Sequence, residues 1–380
     1  MQLQSKLPDF KTSIFTIMSQ LAHEENAINL SQGFPNFEPD SHLLDLVDKA
    51  MREGFNQYAP MAGIYSLREG IANKCKQQFG VYYDPAHEIN VTAGATQAIY
   101  TTLTAFVQPG DEVIIFKPAY DCYEPAILAS GGISIPIQMR GKDYKVDWEE
   151  FRSRLTSRTR MVVINTPHNP SGAVFSKEDM QALEASLAGT DILVLSDEVY
   201  EHIVFDNNTH ISAAMLPGLR ERSLICYSFG KTFHTTGWKM GYCLAPKNLM
   251  KEFQKVHEYN VFSVNHPIQK ALAVYISSPE HYLDLGPFFQ KKRDFFLSGL
   301  EGSSFRWTPS SGTYFQLLDY SAISDEADVE FAKRLTREYK VASIPVSVFN
   351  LKNEDRKQLR FCFAKRQDTL SKALEILQKF

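Results

Sequence analysis

Short, almost wholly apolar runs recur between about residues 41 and 285, separated by stretches with helical spacing, and this alternation constrains the fold more than any other feature. The runs Glu112–Phe116, Met161–Ile164, Ile192–Ser196, Leu224–Tyr227 and Gly241–Leu244 offer no alternating polar face, so each reads as a strand covered on both sides. Strands of that kind joined by crossover helices form a mainly parallel central sheet sandwiched by helices, an α/β architecture. From Pro287 the pattern changes to a long charged helix, strand-like pieces at Gly312–Leu318 and Leu359–Ala364, and a closing helix at Gln367–Lys379. That part reads as α+β. The first 40 residues hold too little apolar material for a core of their own and are expected to join it. The expected organisation is a large domain over 41–285 and a smaller α+β domain built from 1–40 and 286–380.

Composition narrows the function. With a formal charge of −4 the chain has no electrostatic reason to bind nucleic acid. Its five cysteines (Cys75, Cys122, Cys226, Cys243, Cys362) are scattered and form no CxxC pair, which argues against a disulfide framework and against a metal site. Residues 1–15 show no apolar core of a signal peptide and no run is long enough to span a membrane, so a cytosolic protein is expected.

Four separated segments carry the chemistry. In Val91–Ala98 (VTAGATQA) a strand ends at Gly94 and a helix opens at Ala95 and Thr96, leaving free N–H groups and the positive end of a helix dipole for a phosphate. Alone, such a turn more often reflects tight packing. Asn165–Gly172 (NTPHNPSG) is dense in turn formers and could be a plain loop, yet it places the amide of Asn169 beyond a strand's carboxyl end, where α/β sheets bind ligands. In Leu193–Tyr200 (LVLSDEVY), Asp197 ends an apolar strand. It could be a helix cap, or it could hold a cationic ring nitrogen, with Tyr200 facing the same pocket. In Ser228–Gly241 (SFGKTFHTTGWKMG), Lys231 directly follows an apolar strand, so its amine is expected to be partly desolvated and nucleophilic rather than a solvated surface charge. Ser228 and Lys239 flank it with a hydroxyl and a cation suited to an anion. A phosphate cradle, a Schiff-base amine, an acid for a ring nitrogen and donors for a ring hydroxyl are together the parts of a pyridoxal 5′-phosphate (PLP) site.

The chain resembles the fold-type I PLP enzymes of aminotransferase class I/II, within the kynurenine, glutamine and methionine aminotransferase branch. The resemblance is carried by NLSQGFPNF at 29–37, NQYAP at 56–60, KPAYDCYEPA at 117–126, TPHNPSG at 166–172, SDEVYEH at 196–202, SFGKTFHTTGWKMGY at 228–242 and LRFCFAK at 359–365. It implies that Lys231 bonds the cofactor, Asp197 pairs with its ring nitrogen, and Asn169 and Tyr200 hydrogen-bond its 3-oxygen. It further implies that Tyr120 stacks on the ring. The phosphate would be met by Ala95, Thr96, Ser228 and Lys239, and by Tyr58 from a partner subunit, so a homodimer with shared sites is implied. Arg360 would grip the substrate α-carboxylate in a two-pronged ion pair, helped by the backbone of Gly33. Without the resemblance, Arg360 reads equally as a strand-edge surface arginine. The chain departs from the wider class in having Gly230 where many members have Ser and Lys239 where many have Arg. Phe15 stands where kynurenine enzymes tend to have Trp.

The resemblance therefore implies transamination between an L-amino acid and a 2-oxo acid. Enzymes of this class for acidic substrates bring an Arg from the partner, but Glu258–Pro267 (EYNVFSVNHP) holds none. With Phe15, Tyr58 and Val264 expected near the side-chain slot, apolar, thioether and aromatic substrates are favoured, methionine first, with broad selectivity because one methylene is worth only about 1–3 kcal/mol. Kynurenine transamination or cysteine-S-conjugate β-lyase chemistry is the nearest rival. A non-catalytic PLP-binding regulatory domain is disfavoured because NLSQGFP arrives by residue 29 with no preceding DNA-binding segment. An NAD-type oxidoreductase is disfavoured because no GxGxxG follows a strand.

Overall fold

The computed structural model describes residues 4–380, and the first three residues of the chain lie outside it. A short strand near the N-terminus, β1 (Ile28–Asn29), is followed by the seven strands of the central sheet. These are β2 (Ile89–Thr92), β3 (Glu112–Lys117), β4 (Ile133–Gln138), β5 (Thr159–Asn165), β6 (Leu193–Asp197), β7 (Ser223–Ser228) and β8 (Gly241–Leu244). Their order across the sheet is β2-β8-β7-β6-β5-β3-β4. Neighbours pair in parallel except at β8, which runs antiparallel to both β7 and β2. All five expected apolar strands are in this sheet. The sheet is α/β and mainly parallel, as the sequence pattern implies.

Side chains of these strands alternate between two cores. Val113 and Ile115 point with Met161, Val163, Leu195 and Cys226 toward the helices Ala95–Phe106 and Lys247–Asn260. Ile114, Phe116, Val162, Ile164 and Val194 point to the opposite face, where Met180 and Leu183 of the helix Lys177–Leu187 pack. Burial on both faces is why the sequence shows unbroken apolar runs instead of period-two alternation. That helix starts at a capping box, in which the Ser176 hydroxyl accepts from the Asp179 N–H and the Asp179 carboxylate accepts from the Ser176 N–H.

A second, antiparallel sheet has the order β11-β12-β9, with β9 (Phe315–Asp319), β11 (Ile344–Pro345) and β12 (Gln358–Cys362). It follows the helix Leu285–Ser298 and is closed by the helix Gln367–Leu377, close to the expected elements. The strand β1 pairs in parallel with β10 (Val341–Ala342), and the Leu30 carbonyl accepts from the Cys362 N–H at 2.8 Å. These bonds carry the N-terminal loop 31–34 against β12 and over the carboxyl end of β7.

Candidate active site

The carboxyl ends of β5, β6 and β7, at Asn165, Asp197 and Ser228, open onto one cavity of about 410 Å³. This is where an open parallel sheet places its ligands. Phe15, Gly33, Ala95, Thr96, Tyr120, Asn169, Asp197, Tyr200, Ser228, Lys231, Lys239 and Arg360 all line it. Residues from both ends of the chain and from six intervening loops thus meet at one place.

Asp197 is the last residue of β6 and is buried. A turn follows it, so the helix-cap alternative does not apply. Its Oδ2 accepts a hydrogen bond from the Tyr123 hydroxyl at 2.5 Å. Burial pushes its carboxyl up to about 6, against the Tyr123 hydrogen bond, which pulls it down. The Asn165 amide donates to the Asp197 carbonyl at 2.9 Å, and the Asn165 Oδ1 accepts from the Asn169 N–H at 2.8 Å, so one buried side chain sets the spacing of the two site residues.

Lys231 sits in a single helical turn, Phe229–Thr232, capped by Ser228, whose hydroxyl accepts from the Lys231 N–H at 3.3 Å. Its Nζ donates to the Gly33 carbonyl at 3.1 Å and lies 2.9 Å from the Tyr314 hydroxyl. Burial lowers its amine to about 8, with the nearby Arg360 and Lys239 cations adding to the effect. This is the poise a nucleophilic amine requires. The substitution of Gly at 230 has a steric reason: a Cβ there would lie 2.9 Å from the Thr236 Cα and 3.2 Å from the Thr235 carbonyl oxygen, both backbone atoms.

The helix Ala95–Phe106 opens after Gly94, whose φ of 81° only glycine adopts without strain, and no side chain caps its first turn. Its first N–H groups are therefore left for a ligand. A Cβ on Gly94 would lie 3.6 Å from the Lys239 Nζ, so the Lys239 ammonium hangs over this turn. Gly241 makes the approach of β8 possible, because a Cβ on it would lie 2.9 Å from the Ala95 nitrogen and 2.6 Å from the Tyr227 carbonyl oxygen.

Arg360 belongs to β12, the middle strand of its sheet, and is 1 % exposed, which excludes the surface-arginine alternative. Its Nη1 donates to Asn169 Oδ1 at 2.7 Å and its Nη2 to the Ser31 carbonyl at 2.9 Å, while Nε has no partner. Since a guanidinium cannot accept, the Asn169 carbonyl oxygen must face Arg360, which leaves the Asn169 NH₂ to donate elsewhere. The guanidinium lies 3.9 Å over the Phe315 ring and 5.0 Å from that of Phe15. Its hydrogen-bond partners are two neutral oxygens, so no carboxylate is bonded to this buried charge, and Asp121 acts on it only from a distance.

Two expected residues lie apart from the cavity. Tyr58 is 81 % exposed and meets Phe262 edge-on, with ring centroids 5.3 Å apart. Val264 is buried in the main core of its own chain and lines no part of the cavity, because Asn265 and Gln269 fold the start of the next helix beneath it. Conversely Tyr123, Tyr314, Phe315 and Gly241 shape the site without having been singled out by the sequence reading.

Residues 25–377 match the family model described as aminotransferase class I and II. The chain belongs to this aminotransferase family. It is similar to a methionine aminotransferase of Escherichia coli, at 50 % identity over 99 % of this chain and 98 % of that one. A crystal structure of YbdL from Escherichia coli, whose reported function is methionine aminotransferase, superposes with a TM-score of 0.98 at 49 % identity and covers 100 % of both chains. A kynurenine–oxoglutarate transaminase of Dictyostelium discoideum is 34 % identical over 97 % of this chain and 94 % of that one. The aminotransferase family is PLP-dependent. Among the described residues no helix is long and apolar enough to cross a membrane, and no cluster of His, Cys, Asp and Glu could hold a metal.

Proposed function

We propose that this aminotransferase moves an amino group between L-amino acids with thioether, apolar or aromatic side chains, methionine foremost, and 2-oxo acids, with PLP held by Lys231. The site fits that cofactor: an uncapped helix start with Lys239 above it for the phosphate, a buried carboxyl for the ring nitrogen, and the Asn169 amide and Tyr200 hydroxyl for the 3-oxygen. When bound, PLP supplies a ring that takes up the electrons left when the substrate Cα–H bond breaks. Asp197 holds the proton at the ring nitrogen, Tyr120 covers the ring face, Arg360 fixes the α-carboxylate in two-pronged fashion, and the Lys231 amine takes the Cα proton.

The observation that carries the substrate class is the count of cations. Those lining the cavity among the described residues are Lys231, Lys239 and Arg360, and each is assigned to the amine, the phosphate or the α-carboxylate. None remains for an acidic side chain, while Phe15, Phe34, Ile99, Val199 and Phe315 offer apolar walls. The similarity to methionine aminotransferases supports the same reading.

We further infer a cytosolic homodimer. Exposed Tyr58 and Phe262, whose rings meet edge-on, offer an aromatic surface suited to a second copy of the chain, which would bring Tyr58 to the neighbour's phosphate. The five unpaired cysteines support a reducing compartment. The division into 41–285 and a body of 1–40 with 286–380 is supported by the pairing of β1 with β10.

The test is to load the protein with PLP and follow its visible absorption and the 2-oxo acid formed from L-methionine, with L-aspartate and Lys231→Ala as controls. Conversion with methionine alone supports the proposal. Preference for aspartate sinks the substrate class, and pyruvate from cysteine conjugates without transamination of methionine would move the enzyme to the lyases.

A further inference from the structure

Tyr314 precedes β9 and is fully buried. Its hydroxyl donates to the Gly33 carbonyl at 2.6 Å, the same oxygen that receives the Lys231 amine at 3.1 Å, and Lys231 Nζ lies 2.9 Å from the Tyr314 oxygen. A phenol has one proton, and Gly33 takes it. The Tyr314 oxygen can then only accept from the amine. A neutral amine has two N–H bonds and one lone pair. The carbonyl engages one N–H and the phenol oxygen the other, so the lone pair is the remaining valence of a group that lines the cavity.

Resting on the reading of Lys231 as the cofactor-bearing amine, we propose that Tyr314 is a further catalytic residue, whose hydroxyl forms with the Gly33 carbonyl the cradle that receives Lys231 whenever its amine is off the cofactor. Held there, the amine keeps its lone pair free to take the substrate Cα proton. Burial drives the Tyr314 phenol far above its ordinary value, so it keeps its own proton and serves as a fixed dipole instead of an acid. Burial lowers the Lys231 amine to about 8, which enlarges the fraction held as the neutral guest as pH approaches that value. The cradle also joins two tasks, since Gly33 belongs to the loop whose Ser31 carbonyl holds Arg360. The base and the carboxylate grip are positioned by one short segment.

Tyr314→Phe removes the hydroxyl and keeps the ring contacts with Tyr200, Phe289 and Phe315. Because that hydroxyl also neighbours the Tyr200 hydroxyl, Tyr200→Phe is run beside it to separate the two. Tyr320→Phe is the control: that side chain is equally buried, and its hydroxyl donates to the Glu326 carbonyl at 2.8 Å, away from the cavity. In cofactor-free protein, acetylation of Lys231 by acetic anhydride is read by peptide mass spectrometry across pH. The midpoint is expected to fall by at least about half a pH unit in Tyr314→Phe, because an acceptor that favours the charged amine is gone, and to stay put in Tyr320→Phe. In PLP-loaded enzyme, kcat for methionine falls about tenfold or more at nearly constant KM, and the α-deuterium isotope effect rises. An unchanged midpoint and isotope effect in Tyr314→Phe overturn the proposal, as does a wild-type midpoint at the ordinary lysine value, which needs no variant. If wild-type protein forms no cofactor adduct at Lys231, the reading beneath the proposal fails with it, and that result is distinct from the other two.

Discussion

The Tyr123 hydroxyl donates to Asp197 Oδ2 at 2.5 Å, at the floor of the cavity where both side chains are buried. Burial lifts the Asp197 carboxyl to about 6, and this hydrogen bond is the strongest influence in the other direction. Removing it should raise the value further, so that more of the protein carries a neutral Asp197 near pH 7. For Tyr123→Phe we expect PLP affinity about tenfold weaker at pH 6–7, recovering toward wild type above pH 8. Fluorescence titration of PLP against pH checks this, and a deficit that does not vary with pH would refute it.

Lys231 weakens the cofactor-free fold. Its amine lies near 8 in the folded protein and at 10.5 when unfolded, so between those values the unfolded chain holds a proton that the folded one does not. The penalty is full below about pH 8 and fades as pH rises through that window. Lys231→Met should therefore be more stable than cofactor-free wild type at pH 7 by about 2–3 kcal/mol, with the gap closing near pH 10. Urea unfolding at both pH values measures it.

Much of this was legible in the sequence, for identifiable reasons. The runs containing Val113, Val162, Val194 and Leu224 read as strands because burial on both faces leaves no polar alternation. The strand β4, Ile133–Gln138, carries no such signal: it is the sheet edge, only Ile137 in it is buried, and it tolerates Pro136 there. The reversal of β8 was equally hidden, since GYCL is as apolar as its parallel neighbours and strand direction leaves no mark on composition. Lys231, Asp197 and Asn169 were visible because polar groups after apolar strands stand out. Tyr123 and Tyr314 were not, because a tyrosine in an apolar segment looks like core until its hydroxyl partner, far away in sequence, is known. Arg360 was ambiguous for a related reason: that its strand lies in the middle of a sheet is a fact about β9 and β11.

Arg360→Lys tests the planar grip. An ammonium cannot meet Asn169 and Ser31 at once, lie flat on Phe315 and still present two parallel donors to a carboxylate. We expect kcat/KM for methionine to fall roughly 100-fold, mainly through KM, in steady-state assays. A loss confined to kcat would assign Arg360 another task.

Gly241→Ala places a methyl group against the Tyr227 carbonyl and the Ala95 nitrogen, both backbone atoms that cannot rotate away. The variant should lose about 1–3 kcal/mol of stability by thermal unfolding. Because the displaced nitrogen starts the helix at the phosphate end, its affinity for inorganic phosphate should drop as well. Stability lost without any change in phosphate affinity would detach Gly241 from the cradle.

The contact between Ser31 and Arg360 joins residues 329 positions apart. A ribosome delivers the chain from its N-terminus, so the loop 31–34 waits for its partners in β10 and β12 until almost the whole protein has been made. The strands that floor the cavity are complete long before, once β8 has emerged. Newly made chains thus carry Lys231 before they own the Tyr314 cradle that poises it or the Arg360 grip that receives an amino acid. Selectivity arrives last, with the final residues of the chain.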